Sequence, residues 1–379
     1  MDSQSIAKTV DTPEPPAAPS NRARRAVPLI AAALAVTVVA GLLYLRPSMP
    51  SPASPSTRPS PGPSILEPRY RVEYDFVTRS LGWALVVDQV TQPSRYWVFN
   101  TTDGARRWTL QKSDSTMVYG TFQISFFNPY EGYYSLVGNA AFRTSDGGTR
   151  WTEVKLPSKA LGMAWFVDPT HGWFHGDSDF ESTADGGLTW RALPPPPAVG
   201  PLIAFRDRSL GWVASIADDA PSTVYSTRDG GATWQPHQLP SDAFGKPFRP
   251  AQGLSLLPDR GVMVVLLDDT AYTSLDLGAS WLRLAPPPAG NTYMSIAFQD
   301  PIHWWAMRDG DLFKSVDAGQ TWTHVALQLD GWLYFPTVLD ARHAWAKLQS
   351  PGPQLSGSAL ALTSDGGVHW TYANVPRPG

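Results

Sequence analysis

Residues 144–151 read TSDGGTRW, and the same pattern returns along the chain. Close copies are Thr183–Trp190 (TADGGLTW), Thr227–Trp234 (TRDGGATW) and Thr363–Trp370 (TSDGGVHW). Ser274–Trp281 (SLDLGASW) and Ser315–Trp322 (SVDAGQTW) are looser, and Thr101–Trp108 (TTDGARRW) has Ala105 where glycine is expected. Every copy keeps one aspartate: Asp103, Asp146, Asp185, Asp229, Asp276, Asp317 and Asp365. Each is followed by a tryptophan: Trp108, Trp151, Trp190, Trp234, Trp281, Trp322 and Trp370. The aspartates lie 43, 39, 44, 47, 41 and 48 residues apart, the length of one four-stranded propeller blade.

A second motif sits between the boxes: an apolar strand, an acidic turn, then Gly-Trp or a variant. It reads YDFVTRSLGWALV (74–86), MAWFVDPTHGWFHG (163–176), LIAFRDRSLGWVAS (202–215), SIAFQDPIHWWAMR (295–308) and TVLDARHAWAKL (337–348), with weaker copies at 124–138 and 254–267. Each unit therefore supplies four strands, with the box between the third and fourth. Seven units tile residues 70–375.

The box is explained as a turn. Asp and the Ser/Thr two residues before it hydrogen-bond to the backbone of their own corner. Glycine two residues after Asp suits φ > 0. The Trp then covers the gap between blades, where burying it contributes at most about 4–6 kcal/mol. A calcium loop would need several carboxylates within a dozen residues, and a phosphate loop a Lys after its glycines; neither occurs. These aspartates and tryptophans are structural, and no metal or other cofactor is expected.

The pattern S/T-x-D-x-G-x-x-W resembles the Asp-box, or BNR repeat, of sialidases, sortilin-type receptors, xyloglucan-degrading enzymes and photosystem II assembly-factor propellers. The F-x-D-x-x-x-G-W strand is most similar to the last of these. That resemblance implies a single all-β, seven-bladed propeller of four-stranded antiparallel blades, acting as a non-enzymatic binding protein. A sialidase would need an arginine triad in its channel, whereas the innermost strands carry only Arg71 before their terminal turns. No catalytic residue is assigned. The alternative remains a glycan-acting hydrolase of the sialidase-like superfamily.

Residues 26–45 (AVPLIAAALAVTVVAGLLYL) carry no charge, and as a helix would span about 30 Å. Arg22, Arg24 and Arg25 precede this stretch, so residues 1–25 are expected to form a disordered cytoplasmic tail and the remainder to lie outside. Residues 46–69 form a Pro/Ser-rich linker that holds the propeller, 70–379, away from the membrane. With no Cys in the chain, disulfides and a lipidated cysteine are excluded. Residues 70–379 hold 23 basic and 29 acidic side chains, which argues against a nucleic-acid partner. A protein or glycan ligand outside the cytoplasm is expected instead.

Charges sort by face. The first-to-second turns carry Arg79, His171, Arg206, Arg208, Arg260, His303, Arg342 and His343. The second-to-third loops carry Asp177, Asp179 and Glu181, then Asp218 and Asp219, Asp268 and Asp269, and Asp309 and Asp311. This acidic rim is the candidate ligand-binding surface, suited to a cation or to a basic patch on a partner.

Overall fold

The computed structural model describes residues 64–378, apart from 119–120, 137–139, 158–161, 177–178, 199–200, 216–222, 241–250, 258–260, 267–269, 285–294, 309–310, 328–331 and 350–357. The tail, the apolar segment 26–45 and most of the linker lie outside the described residues. Among the described residues, no helix is long and apolar enough to cross a membrane.

The architecture is an all-β propeller of four-stranded antiparallel blades. Sheet 1 runs β1 (Tyr70–Phe76), β2 (Gly82–Asp88), β3 (Ser94–Thr101) and β4 (Thr109–Thr116), each strand paired with the next. The other sheets repeat this meander over residues 122–153, 162–192, 201–238, 251–283, 295–325 and 332–373, giving seven four-stranded sheets. Their second strands, such as β2, Gly132–Leu136, Gly211–Ser215 and Trp304–Arg308, are buried throughout. A strand covered on both faces reads as a continuous apolar run. Fourth strands are mostly exposed at the outer edge.

The core is divided among the seams between sheets. Seven apolar clusters each join two successive sheets, and one of them joins sheet 7 to sheet 1. Every box tryptophan packs into the seam between its own sheet and the preceding one: Trp108 beside Trp345, Trp151 beside Phe126, and Trp370 beside Trp305. The Gly-Trp pair serves the same seams. A Cβ on Gly82 would lie 2.1 Å from the Phe76 ring, and on Gly211 2.5 Å from the Phe205 ring. Without a side chain there, the first-strand Phe folds across its own sheet. The indole of the previous sheet then stacks on it: Trp83 on Phe126 at 3.4 Å, Trp173 on Phe205 at 3.7 Å and Trp345 on Phe76 at 3.9 Å between ring centroids. Sheet 6 departs from this rule. Trp304 pairs in register with Phe298, and the two rings meet edge to face at 5.1 Å.

The boxes form one recurring corner. In the second copy Thr144 Oγ1 donates to Asp146 Oδ1 (3.0 Å), Gly148 N donates to Thr144 Oγ1 (2.8 Å), and Arg150 N donates to Asp146 Oδ1 (2.8 Å). The same three bonds recur in the other six. Both residues after the aspartate are left-handed, not just the second: φ is +71° at Gly147 and +88° at Gly148. Ala105 at φ +59° keeps this conformation, as do Leu277 (+66°) and Ala318 (+57°) at the first position. Hydrogen bonds also set the ionisation. The Thr189 hydroxyl pulls Asp185 down to about 2, the Ser280 hydroxyl does the same for Asp276, and the His369 amide for Asp365.

The chain before β1 takes part in the closing seam. Leu66 exchanges backbone hydrogen bonds with Ser358 (2.9 and 3.1 Å), and Glu73 pairs with Lys347 at 2.5 Å. Leu66, counted above with the linker, thus forms an isolated bridge to the third strand of sheet 7.

Opposite substitutions test the corner. Ala105→Gly relieves a left-handed alanine and is expected to stabilise the protein by roughly 0.5–1 kcal/mol. Gly231→Ala forces one at φ +93°, with its Cβ 2.9 Å from the Phe180 ring, and should cost at least about 1–3 kcal/mol. Urea unfolding midpoints report both changes.

Candidate functional site

The box corner and the first-to-second turn of the same sheet share one face, because the residue after the box aspartate donates to that turn: Gly104 N to Ser80 O, Gly147 N to Tyr130 O, Gly230 N to Ser209 O and Gly366 N to Arg342 O, all at 2.8–2.9 Å. Strand-end acids cap these turns. Asp168 accepts from the amides of Thr170 and His171, and Asp340 from those of Arg342 and His343. Burial alone would raise Asp168, but these bonds together with the Thr170 hydroxyl bring it down to about 2. The turn histidines close back on the same carboxylates: His171 to Asp168 at 2.9 Å, His303 to Asp300 at 2.7 Å and His343 to Asp340 at 2.8 Å. These histidines are therefore held within their own turns.

Two grooves open on this face. One, of about 360 Å³, lies at the seam of sheets 3 and 4 and includes His171, Trp190, Arg191, Arg208 and Asp229. The other, of about 480 Å³, lies at the seam of sheets 7 and 1 and includes Arg79, Asp103, Arg106, His343 and Tyr372. Arg79 and Arg208 belong to the turns singled out from sequence. Arg106 comes from the box corner beside the Arg79 turn, and Arg191 from the fourth strand of sheet 3, which the packing of sheet 4 brings to Arg208.

The expected acidic rim is represented by three members. Asp177, Asp218, Asp219, Asp268, Asp269 and Asp309 lie outside the described residues, as does Arg260 of the basic set. Glu181 is raised above the usual carboxylate range, first by burial and then by repulsion from Asp179. Asp311 meets His324 at 3.3 Å. His171 immediately precedes the strand Gly172–Gly176 and His175 lies within it, so the two do not converge as a helical pair would. Among the described residues, no three His, Cys, Asp or Glu side chains are arranged to hold a metal ion.

A further carboxylate escaped the sequence reading. Asp75 on the innermost strand of sheet 1 accepts a 2.5 Å hydrogen bond from Phe126 N of sheet 2, and burial pushes it up from 3.8 to about 6.

The fold is a propeller related to those of Ycf48 and the GH74 xyloglucanases. No family model matches the chain. The photosystem II assembly lipoprotein Ycf48 of Synechococcus sp. (strain CC9902) is 26% identical over 249 residues, covering 60% of this chain and 69% of that protein. A solved structure of Ycf48 bound to D1 peptide matches with a TM-score of 0.55 at 18% identity, over 80% of this chain and 97% of that one. The GH74 xyloglucanase from Xanthomonas campestris matches with a TM-score of 0.53 at 13% identity, over 83% of this chain but only 55% of the xyloglucanase.

Asp75 makes the fold sensitive to pH. Its folded pKa exceeds its ordinary value, so the folded state holds the proton more tightly than the unfolded chain. This contribution is full below about 3.8 and lost as pH rises through about 6. Relative to Asp75→Asn, the wild type should lose about 1.4 kcal/mol between about pH 5 and 8, measured by urea unfolding of both proteins.

Proposed function

We propose that this chain is a membrane-anchored, seven-bladed Asp-box propeller that binds a protein or glycan outside the cytoplasm without transforming it. The observation that carries the reading is how the repeated chemistry is used. All seven box aspartates are engaged in their own turns, while four arginines stand without ion pairs in the two box-face grooves among the described residues. Seven sheets and seven inter-sheet clusters support the blade number. The likeness to Ycf48, a structure of which holds a D1 peptide, supports a protein as ligand. The uncharged segment 26–45, with arginines on its N-terminal side, supports the anchor and its orientation.

One observation favours the alternative, a glycan-acting hydrolase: Glu181 is raised and has Asp179 nearby. A glycosidase needs two carboxyls about 5–9.5 Å apart, one of them protonated. Two assays decide between the readings. With xyloglucan and sialylated oligosaccharides between pH 4 and 7, no reducing ends should be released; release that Glu181→Gln abolishes would install the hydrolase. In cells, the chain should resist carbonate extraction until residues 26–45 are deleted, external protease should digest the propeller, and crosslinking should capture a partner. A chain that extracts freely, or is protected from protease, contradicts the anchor and its orientation.

A further inference from the structure

Two seams share a constellation that the other described seams lack. At the seam of sheets 3 and 4, the leading sheet supplies His171, fixed by Asp168, and the following sheet supplies Arg208. At the seam of sheets 7 and 1, the leading sheet supplies His343, fixed by Asp340, and the following sheet supplies Arg79. Arg208 and Arg79 are equivalent, since each precedes the serine whose carbonyl accepts from the box: Ser209 from Gly230 and Ser80 from Gly104. The same position is Pro129, Pro169, Pro301 and Ala341 in sheets 2, 3, 6 and 7. Sheet 6 supplies His303, but Ala341 faces it across the next seam.

Each groove adds a second arginine, Arg191 or Arg106, and among the described residues none of the four arginines forms an ion pair. One carboxylate lines each groove, Asp229 or Asp103, and each is held in its own box turn and pairs with neither arginine. Asp229 accepts from Thr227 Oγ1 and Thr233 N, and Asp103 from Thr101 Oγ1 and Arg107 N. An acidic domain thus keeps two arginine pairs free at two related places on one face. A pair of guanidinium forks matches the planar oxygens of a carboxylate. Each groove also offers a partly exposed ring, Trp190 or Tyr372, and a serine, Ser182 or Ser364. Aromatic face, hydroxyl and arginine fork together suit a sugar ring that bears an acid.

We propose that these two seams are paired subsites for an acidic glycan, each taking the carboxylate of one uronic-acid residue. This rests on the binding role proposed above and names a ligand class for it. The seams are three sheets apart one way around the ring and four the other, so a single chain crossing the face engages both and binds more tightly than either subsite alone.

The test is calorimetric titration of the full-length chain with galacturonate oligomers at low salt. Wild type should bind, with affinity falling as salt rises, and the methyl-esterified oligomer should not. Arg79→Gln/Arg106→Gln and Arg191→Gln/Arg208→Gln should each weaken binding at least tenfold while leaving the near-UV circular dichroism unchanged. Four results overturn the proposal: no binding of the acid form, equal binding of the ester, unchanged affinity in the quadruple variant, or equally tight binding of polyglutamate of the same charge. If galacturonate fails while a crosslinked protein partner is still captured, the subsites are refuted and the binding module stands.

Discussion

The structure depends on a backbone corner that turns through two consecutive left-handed residues. L-amino acids resist that conformation, so it needs support from its surroundings. Support comes from inside the octapeptide: a Ser/Thr hydroxyl takes the amide of the second left-handed residue, and the aspartate takes the amide two residues later. Because the corner is fixed, its outward carbonyl can accept from the preceding sheet. Gly147 O receives Trp83 Nε1 and Gln111 Nε2, Gly186 O receives Arg143, and Gly230 O receives Trp173 Nε1. The corner is thus both a turn within one sheet and a latch between two.

From the latch follows the seam. Once the corner is held, the box tryptophan has one place to go, into the apolar cluster shared with the preceding sheet. The paired Gly-Trp of the second strand completes the same cluster from the other side. Stability is therefore spread around the ring rather than gathered in one core, as expected of repeat architectures. The grooves on the box face are the mouths of two such seams, where the chemistry left over from building the scaffold is exposed.

Much of this was legible in sequence, because periodicity records local geometry. The strand plan, the role of the Ser/Thr–Asp pair and the tryptophan in the gap all follow from an octapeptide at blade spacing. Ala105 reads as an exception but adopts the same φ, since the hydrogen bonds at Thr101 and Asp103 tolerate a methyl group there. In HWW, register makes Trp305 the equivalent of Trp83 and sets Trp304 in the glycine's place. Arg191 carried no signal, because its approach to Arg208 depends on which sheet packs on which, whereas Arg106 shares sheet 1 with Arg79 and lies inside a box whose residues read as structural. Asp75 was hidden likewise: its position in YDF is ordinary, and only the approach of Phe126 from the next sheet buries it.

Amide hydrogen exchange at the second left-handed residue of each box tests the central claim most directly. The N–H groups of Ala105, Gly148, Gly187, Gly231, Gly278, Gly319 and Gly367 sit in a loop by sequence, yet each donates to a hydroxyl beneath the surface. If the corner latches the ring, all seven should exchange only with global unfolding, as slowly as the buried amides of the second strands. Exchange at the rate of an exposed surface loop, with the second strands still protected, would show that the sheets hold together without their corners.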